Sequence, residues 1–112
     1  MSYLHLGHDC GTYVIDKNEN TIRHSKNLRG MRDYARVSPV VKIETQNSPD
    51  NFYRGLLRVT YADGCYSIAS FASYHIMIDF VRNRRSWRKA EHIMHGENIG
   101  YLTKHGIIGG KS

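Results

Sequence analysis

The residues best suited to chemistry in this chain are arginines, and they come in groups. Arg82, Arg84, Arg85 and Arg88 fall within seven positions, and Arg29, Arg32 and Arg36 recur at helical spacing. Ten arginines stand against six lysines, and the formal charge is +6 with a pI of about 9.5. A guanidinium offers a planar fork of donors that matches phosphate or carboxylate, so these groups point to specific anion contacts rather than a diffuse cationic coat. Arg58 stands apart, in a β-branched stretch. Phe71, Tyr74 and Trp87 lie close enough in sequence to the Arg82–Arg88 group to serve as stacking partners for a base.

Other chemistries fit less well. His5, His8 and Cys10 form H-x2-H-x-C, and His92 and His95 stand three apart, as on one helical turn. No CxxC or HExxH accompanies them, so no metal or cofactor is expected. Cys65 follows a turn directly and reads as a small hydrophobe rather than a nucleophile. The carboxylates are scattered. The final GIIGGKS is no P-loop, because that motif needs glycine where His105 stands. RNA-recognition, KH and helix-turn-helix signatures are missing too. The expectation is a binding protein, not an enzyme.

The elements that must position these groups centre on Leu56 to Trp87. Asp63-Gly64 predicts a tight hairpin with a type I′ turn, pairing Val59 with Ile68 and Tyr61 with Tyr66. One face then carries Leu57, Val59, Tyr61, Tyr66 and Ile68, and the other carries Leu56, Arg58, Thr60, Ser67, Ala69 and Phe71. Ser73, or Ser70, caps a helix predicted from Tyr74 to about Lys89. Its apolar residues Tyr74, Ile76, Met77, Ile78, Phe80, Val81 and Trp87 sweep roughly 200° of the wheel, wider than one sheet contact needs. That width predicts a second packing surface, most simply another copy of the chain, with the C-terminal segment as the rival cover. Arg84, Arg85 and Arg88 project near this apolar sector. They either line an anion pocket or compensate the helix C-terminus.

Upstream, Thr12–Ile15 and Thr21–Arg23 flank a polar turn as an N-terminal hairpin, and Tyr3–Leu6 is a short strand. Ser25 reads as the cap of a short helix from Lys26 to Arg36, with Leu28, Met31 and Ala35 inward and its arginines alongside. Val40–Thr45 is a strand, and Gln46–Asn51 is a polar loop. The chain of 112 residues is therefore one α+β domain: an antiparallel sheet of hairpins, a main amphipathic helix packed on it, and a short arginine-bearing helix. Residues 96–112 form a Gly-rich arm that borrows its order from a neighbouring surface.

With 40% hydrophobic and 23% charged residues, the composition is that of a folded protein. No apolar run approaches the roughly 20 residues that span a bilayer. Two cysteines without a signal-peptide core suggest a reducing, cytoplasmic setting.

The segments SKNLRGMRDYAR and FASYHIMIDFVRNRRSW, set in a mostly β front half with a helix after the last hairpin, resemble phage-encoded nucleotide sponges of the anti-Thoeris type. These anti-defence proteins sequester cyclic signals between protomers of an oligomer. The resemblance implies that the arginines hold phosphates and that no bond is cut. The leading expectation is an anionic, nucleotide-type ligand held by Arg58, Arg82, Arg84, Arg85 and Arg88, with Arg29 and Arg32. The alternative is nucleic acid, or a protein that handles it, on the same basic surface.

Overall fold

A computed structural model describes residues 12–25, 28–48 and 53–96. The expected strand Tyr3–Leu6, the His5, His8 and Cys10 group, the Pro49 loop and the Gly-rich arm beyond Gly96 lie outside the described residues. The N-terminal hairpin forms as read. β1 (Thr12–Ile15) pairs antiparallel with β2 (Thr21–Ser25). Asp16 builds the turn between them, its carboxylate accepting the N–H groups of Asn18 and Asn20.

The short helix, α1, runs Arg29–Val37 rather than from Lys26. Ser25 ends β2, and Leu28 takes the cap position without a side-chain hydrogen bond. Met31 and Tyr34 are its buried residues, while Leu28 and Ala35 pack partly against the core. β3 (Val40–Asn47) extends through Gln46 and Asn47, which are buried strand residues and not loop. β4 (Gly55–Tyr61) and β5 (Tyr66–Phe71) follow as the central hairpin. α2 (Tyr74–Arg82), a 3-10 turn (Arg85–Trp87) and β6 (Glu91–Gly96) complete the described chain.

The sheet has six strands in the order β2-β1-β5-β4-β3-β6. It is mixed, not antiparallel, because β6 pairs parallel with β3. The crossover through α2 reverses the chain so that β6 enters in the direction of β3. His92 and His95 therefore sit on a strand, where a spacing of three sends them to opposite faces.

The central hairpin differs in register. Thr60 pairs with Tyr66 and Val59 with Ser67. Within this loop Gly64 alone takes positive φ, at 93°, and its N–H reaches the Tyr61 carbonyl, while Tyr61 N–H bonds the Cys65 carbonyl. This is a three-residue loop, Ala62 to Gly64, not a type I′ turn. Asp63 stays out of the left-handed region and is held by tertiary contacts. It accepts from the Tyr34 hydroxyl at 2.5 Å and from Cys65 N–H, and its own N–H donates to Ser38 Oγ. A one-residue shift moves every side chain of β5 to the other face. Ser67, Ala69 and Phe71 join Leu57, Val59 and Tyr61, and Tyr66 and Ile68 join Leu56, Arg58 and Thr60.

Both helices lie on the first of these faces. Val14, Ile43, Leu57, Val59, Tyr61, Ala69 and Phe71 pack with Met31 and Tyr34 of α1 and with Met77, Ile78 and Val81 of α2. Leu56, Tyr66 and Ile68 on the opposite face are also shielded from solvent.

Candidate functional site

The main helix stops at Arg82, seven residues short of the expected Lys89, and the reason is Trp87. In an unbroken α-helix Phe80 and Trp87 would be separated by roughly 10 Å along the axis. Asn83 leaves the helical conformation and Arg84 is extended (φ −96, ψ 96), so the chain doubles back. Trp87 then meets Phe80 edge-on with centroids 5.7 Å apart and is 3% exposed. Burial of so large an apolar ring outweighs two more turns of helix on a run of like charges.

The same bend presents the arginines. Arg82, Arg85, Arg88 and Lys89 are exposed, and Arg84 is half-buried with Cζ 4.8 Å above the Phe80 ring. None of these five has a carboxylate partner among the described residues. They lie past the end of α2 or on its last residue, so they do not enter the helix's apolar sector. The expected second apolar side shrinks with the helix: Trp87 leaves the wheel, and Ile76, 57% exposed, is the large apolar residue of α2 that still faces outward.

The other expected ligand-binding residues are not gathered here. Arg29 and Arg32 are exposed on α1, which packs over β1 and β2, whereas α2 packs over β4, β3 and β5. Arg58 is on the helix-free face of β4, with the sheet between it and the bend. Phe71 is in the core, 5.5 Å from Phe80, so Phe71 and Trp87 spend their ring faces on packing and offer none to a base. Tyr74 is half-buried and stands edge-on to His75.

Arg58 belongs to a second constellation, on the helix-free face. Glu44, 1% exposed, lies opposite it across the β3–β4 ladder, with Oε1 3.8 Å from Arg58 Nε. The other carboxylate oxygen is 3.4 Å from His95 Nε2 on β6. The Arg58 guanidinium rests 4.1 Å above the Tyr66 ring, and the Tyr66 hydroxyl donates to Glu19 at 2.6 Å. A polar track thus crosses β6, β3, β4 and β5. Burial, and then the bond to Glu19, push the Tyr66 phenol well above its usual range. Chemically the track is a compensated ion pair that ties neighbouring strands together. Sequence reasoning missed Glu44 and His95. The available signal was a glutamate in the middle of the apolar strand Val40–Thr45, since a charge there must find a partner.

His92 was also missed as part of the helix-side surface. Its Nε2 is 3.4 Å from Thr45 Oγ1, and its pKa is lowered first by burial and then by the Arg82 charge. Cys65 is buried with Sγ 3.6 Å from the Tyr34 hydroxyl, as a core residue. Among the described residues no group of three or more His, Cys, Asp or Glu side chains is placed to hold a metal ion. No helix among them is long and apolar enough to cross a membrane.

In comparisons with protein-family models, characterised proteins and solved structures, nothing matches this chain.

Proposed function

We propose that this chain binds phosphate-bearing ligands, nucleic acid first among them, through the bend from Arg82 to Lys89. The observation that carries the reading is five cations within eight residues, four of them exposed, with no carboxylate partner among the described residues. Like charges held together repel, and a polyanion relieves that repulsion while releasing its own counterions. Packing roots the bend, because Trp87 and Phe80 fix the backbone on which the guanidinium groups are carried.

A small nucleotide held in a sponge-like pocket is the second reading. Tyr74 favours it, as the expected stacking residue that is not in the core. The exposure of Arg82, Arg85 and Arg88 favours a surface over an enclosed pocket. Neither reading requires bond cleavage.

Salt dependence separates the two. A nucleic-acid binder that neutralises several phosphates loses affinity linearly in log salt, with a slope of roughly −0.7 to −0.9 per phosphate contact. Arg85→Ala with Arg88→Ala is expected to lower that slope by about 2 and weaken binding to all sequences alike. Unchanged binding by a folded double variant would remove the bend from the interface. Mononucleotide binding that is insensitive to salt would select the small-ligand reading instead.

A further inference from the structure

The 3-10 turn inside the bend gives it distinct sides. Residues three apart eclipse in such a turn, at a rise of roughly 2.0 Å each. Trp87 N–H bonds the Arg84 carbonyl and Arg88 N–H bonds the Arg85 carbonyl, which holds the turn closed. Arg84 and Trp87 share the side that meets Phe80 and the core. Arg85 and Arg88 share another side, about 6 Å apart along the axis, and both are exposed. Arg82 before them and Lys89 after them are exposed as well. The flanking carboxylates are Asp79, three residues before Arg82 on α2, and Glu91 at the start of β6. Both are exposed, and among the described residues neither forms an ion pair with these cations. From Asp79 to Glu91 five cations thus stand against two carboxylates, and the stretch stays positive.

The aromatic rings beside the bend are already committed. The Arg84 guanidinium covers the Phe80 ring, Trp87 is packed edge-on to Phe80, and Phe71 is in the core. Tyr74 is half-buried at the far end of α2, roughly 12 Å from Arg82 along the axis. Tyr53, the most exposed ring, lies at that same far end, where its carbonyl accepts the Tyr74 N–H.

We infer that the bend takes duplex nucleic acid in preference to single strands, and holds it by its phosphates without reading its bases. This rests on the phosphate-binding reading of the bend. Proteins that grip single strands draw much of their affinity from bases stacked on aromatic faces, and the rings beside this bend are packed. A duplex presents one charge per about 1.7 Å of axis, against about 3.4 Å for one strand. Its phosphates are also ordered before binding, as is the backbone that carries the cations, because Trp87 anchors it. A single strand must be ordered as it binds, at a cost in affinity.

The size of the preference follows from counterion release. Log affinity falls with log salt by roughly 0.9 per phosphate contact on duplex DNA and roughly 0.7 on a single strand. Let Arg82, Arg85, Arg88 and Lys89 each meet one phosphate, and let the two ligands bind alike at about 1 M salt. The duplex is then favoured about sixfold at about 0.1 M salt.

A short mixed-sequence DNA duplex and an oligothymidylate of the same length are the probes, followed by fluorescence anisotropy with the full chain. The duplex is expected to bind about sixfold tighter at about 0.1 M salt, with the steeper salt slope. Exchanging the duplex sequence should leave its affinity unchanged. Tyr53→Ala, a change at an exposed residue, should bind both probes as the wild type does. An oligothymidylate bound as tightly as the duplex, or more tightly, overturns this inference and leaves the bend's reading standing. So does an affinity that follows duplex sequence, or a folded Tyr53→Ala that loses the oligothymidylate. A wild type that binds neither probe overturns both.

Discussion

Glu44 and Arg58 face each other across the β3–β4 ladder, and the glutamate is 1% exposed with its Oε1 3.8 Å from Arg58 Nε. The contact is longer than a hydrogen bond, and neither atom has another hydrogen-bond partner. It is therefore an electrostatic tie between a buried carboxylate and a part-buried guanidinium, reinforced for the arginine by the Tyr66 ring and for the glutamate by His95.

Removing one partner of such a pair strands the other. Arg58→Met is expected to destabilise the protein by about 3 kcal/mol, because the buried carboxylate keeps only His95. The double variant Arg58→Met with Glu44→Gln should recover much of that loss. Urea denaturation of the wild type and the two variants measures it, and a double variant no better than Arg58→Met would show that the arginine acts through packing on Tyr66 alone.

Alkaline titration should find three phenols that resist ionisation, Tyr34 first through its bond to Asp63 and two others first through burial. Tyr61 is raised by burial, and Tyr66 by burial and its bond to Glu19, from an ordinary value of 10.0. A folded pKa above the unfolded one gives stability that is complete below pH 10.0 and is lost as pH climbs beyond it. Phenolate absorbance and circular dichroism should therefore change together above about pH 11. Smooth ionisation of all tyrosines in a folded protein would contradict the burial of these two.

Two glycines should respond differently to alanine. A Cβ on Gly55 would lie 2.9 Å from Met77 Sδ and Cε and 3.1 Å from Met77 Cβ, and Met77 is fully buried under α2. Gly55→Ala is expected to cost about 1–3 kcal/mol by overpacking. Gly64 instead has φ +93°, and its Cβ would meet only the flexible stem of Lys17. Gly64→Ala should cost about 1 kcal/mol, from backbone strain alone. Adding Met77→Ala should partly rescue Gly55→Ala but leave Gly64→Ala unrelieved.

Ser73 holds the start of α2, its hydroxyl accepting the N–H groups of His75 and Ile76. Ser73→Ala is expected to lower stability by about 1 kcal/mol, and Ser73→Asp to leave it nearly unchanged. Thermal melts of the two variants test this, and an indifferent Ser73→Ala would mean that packing of Met77 and Val81 sets the helix start.

Local patterns carried the element types well. β-branched runs marked β1, β3 and β4, the serines before Tyr74 marked the start of α2 without choosing between Ser70 and Ser73, and the mixed composition marked an α+β domain. The errors arise where a long-range contact overrode a local rule. Asp63-Gly64 is ordinarily a two-residue turn, but Tyr34 and Ser38 hold Asp63 and move the register by one. The helical pattern beyond Arg82 continues in sequence, but Trp87 returns to Phe80 and ends it.

The amino-acid sequence by itself determined the positive charge, the arginine grouping and the strand and helix material, because these depend on residue type and short-range period. Tertiary structure alone decided which arginines keep company. The sheet puts Arg58 with Glu44 on one face and Arg82, at the end of α2, on the other, and the one-residue register of β5 sets which aromatic rings lie with each. Side-chain direction along a strand alternates with every residue, so the face a group occupies depends on register, and register depends on contacts made far away in the chain.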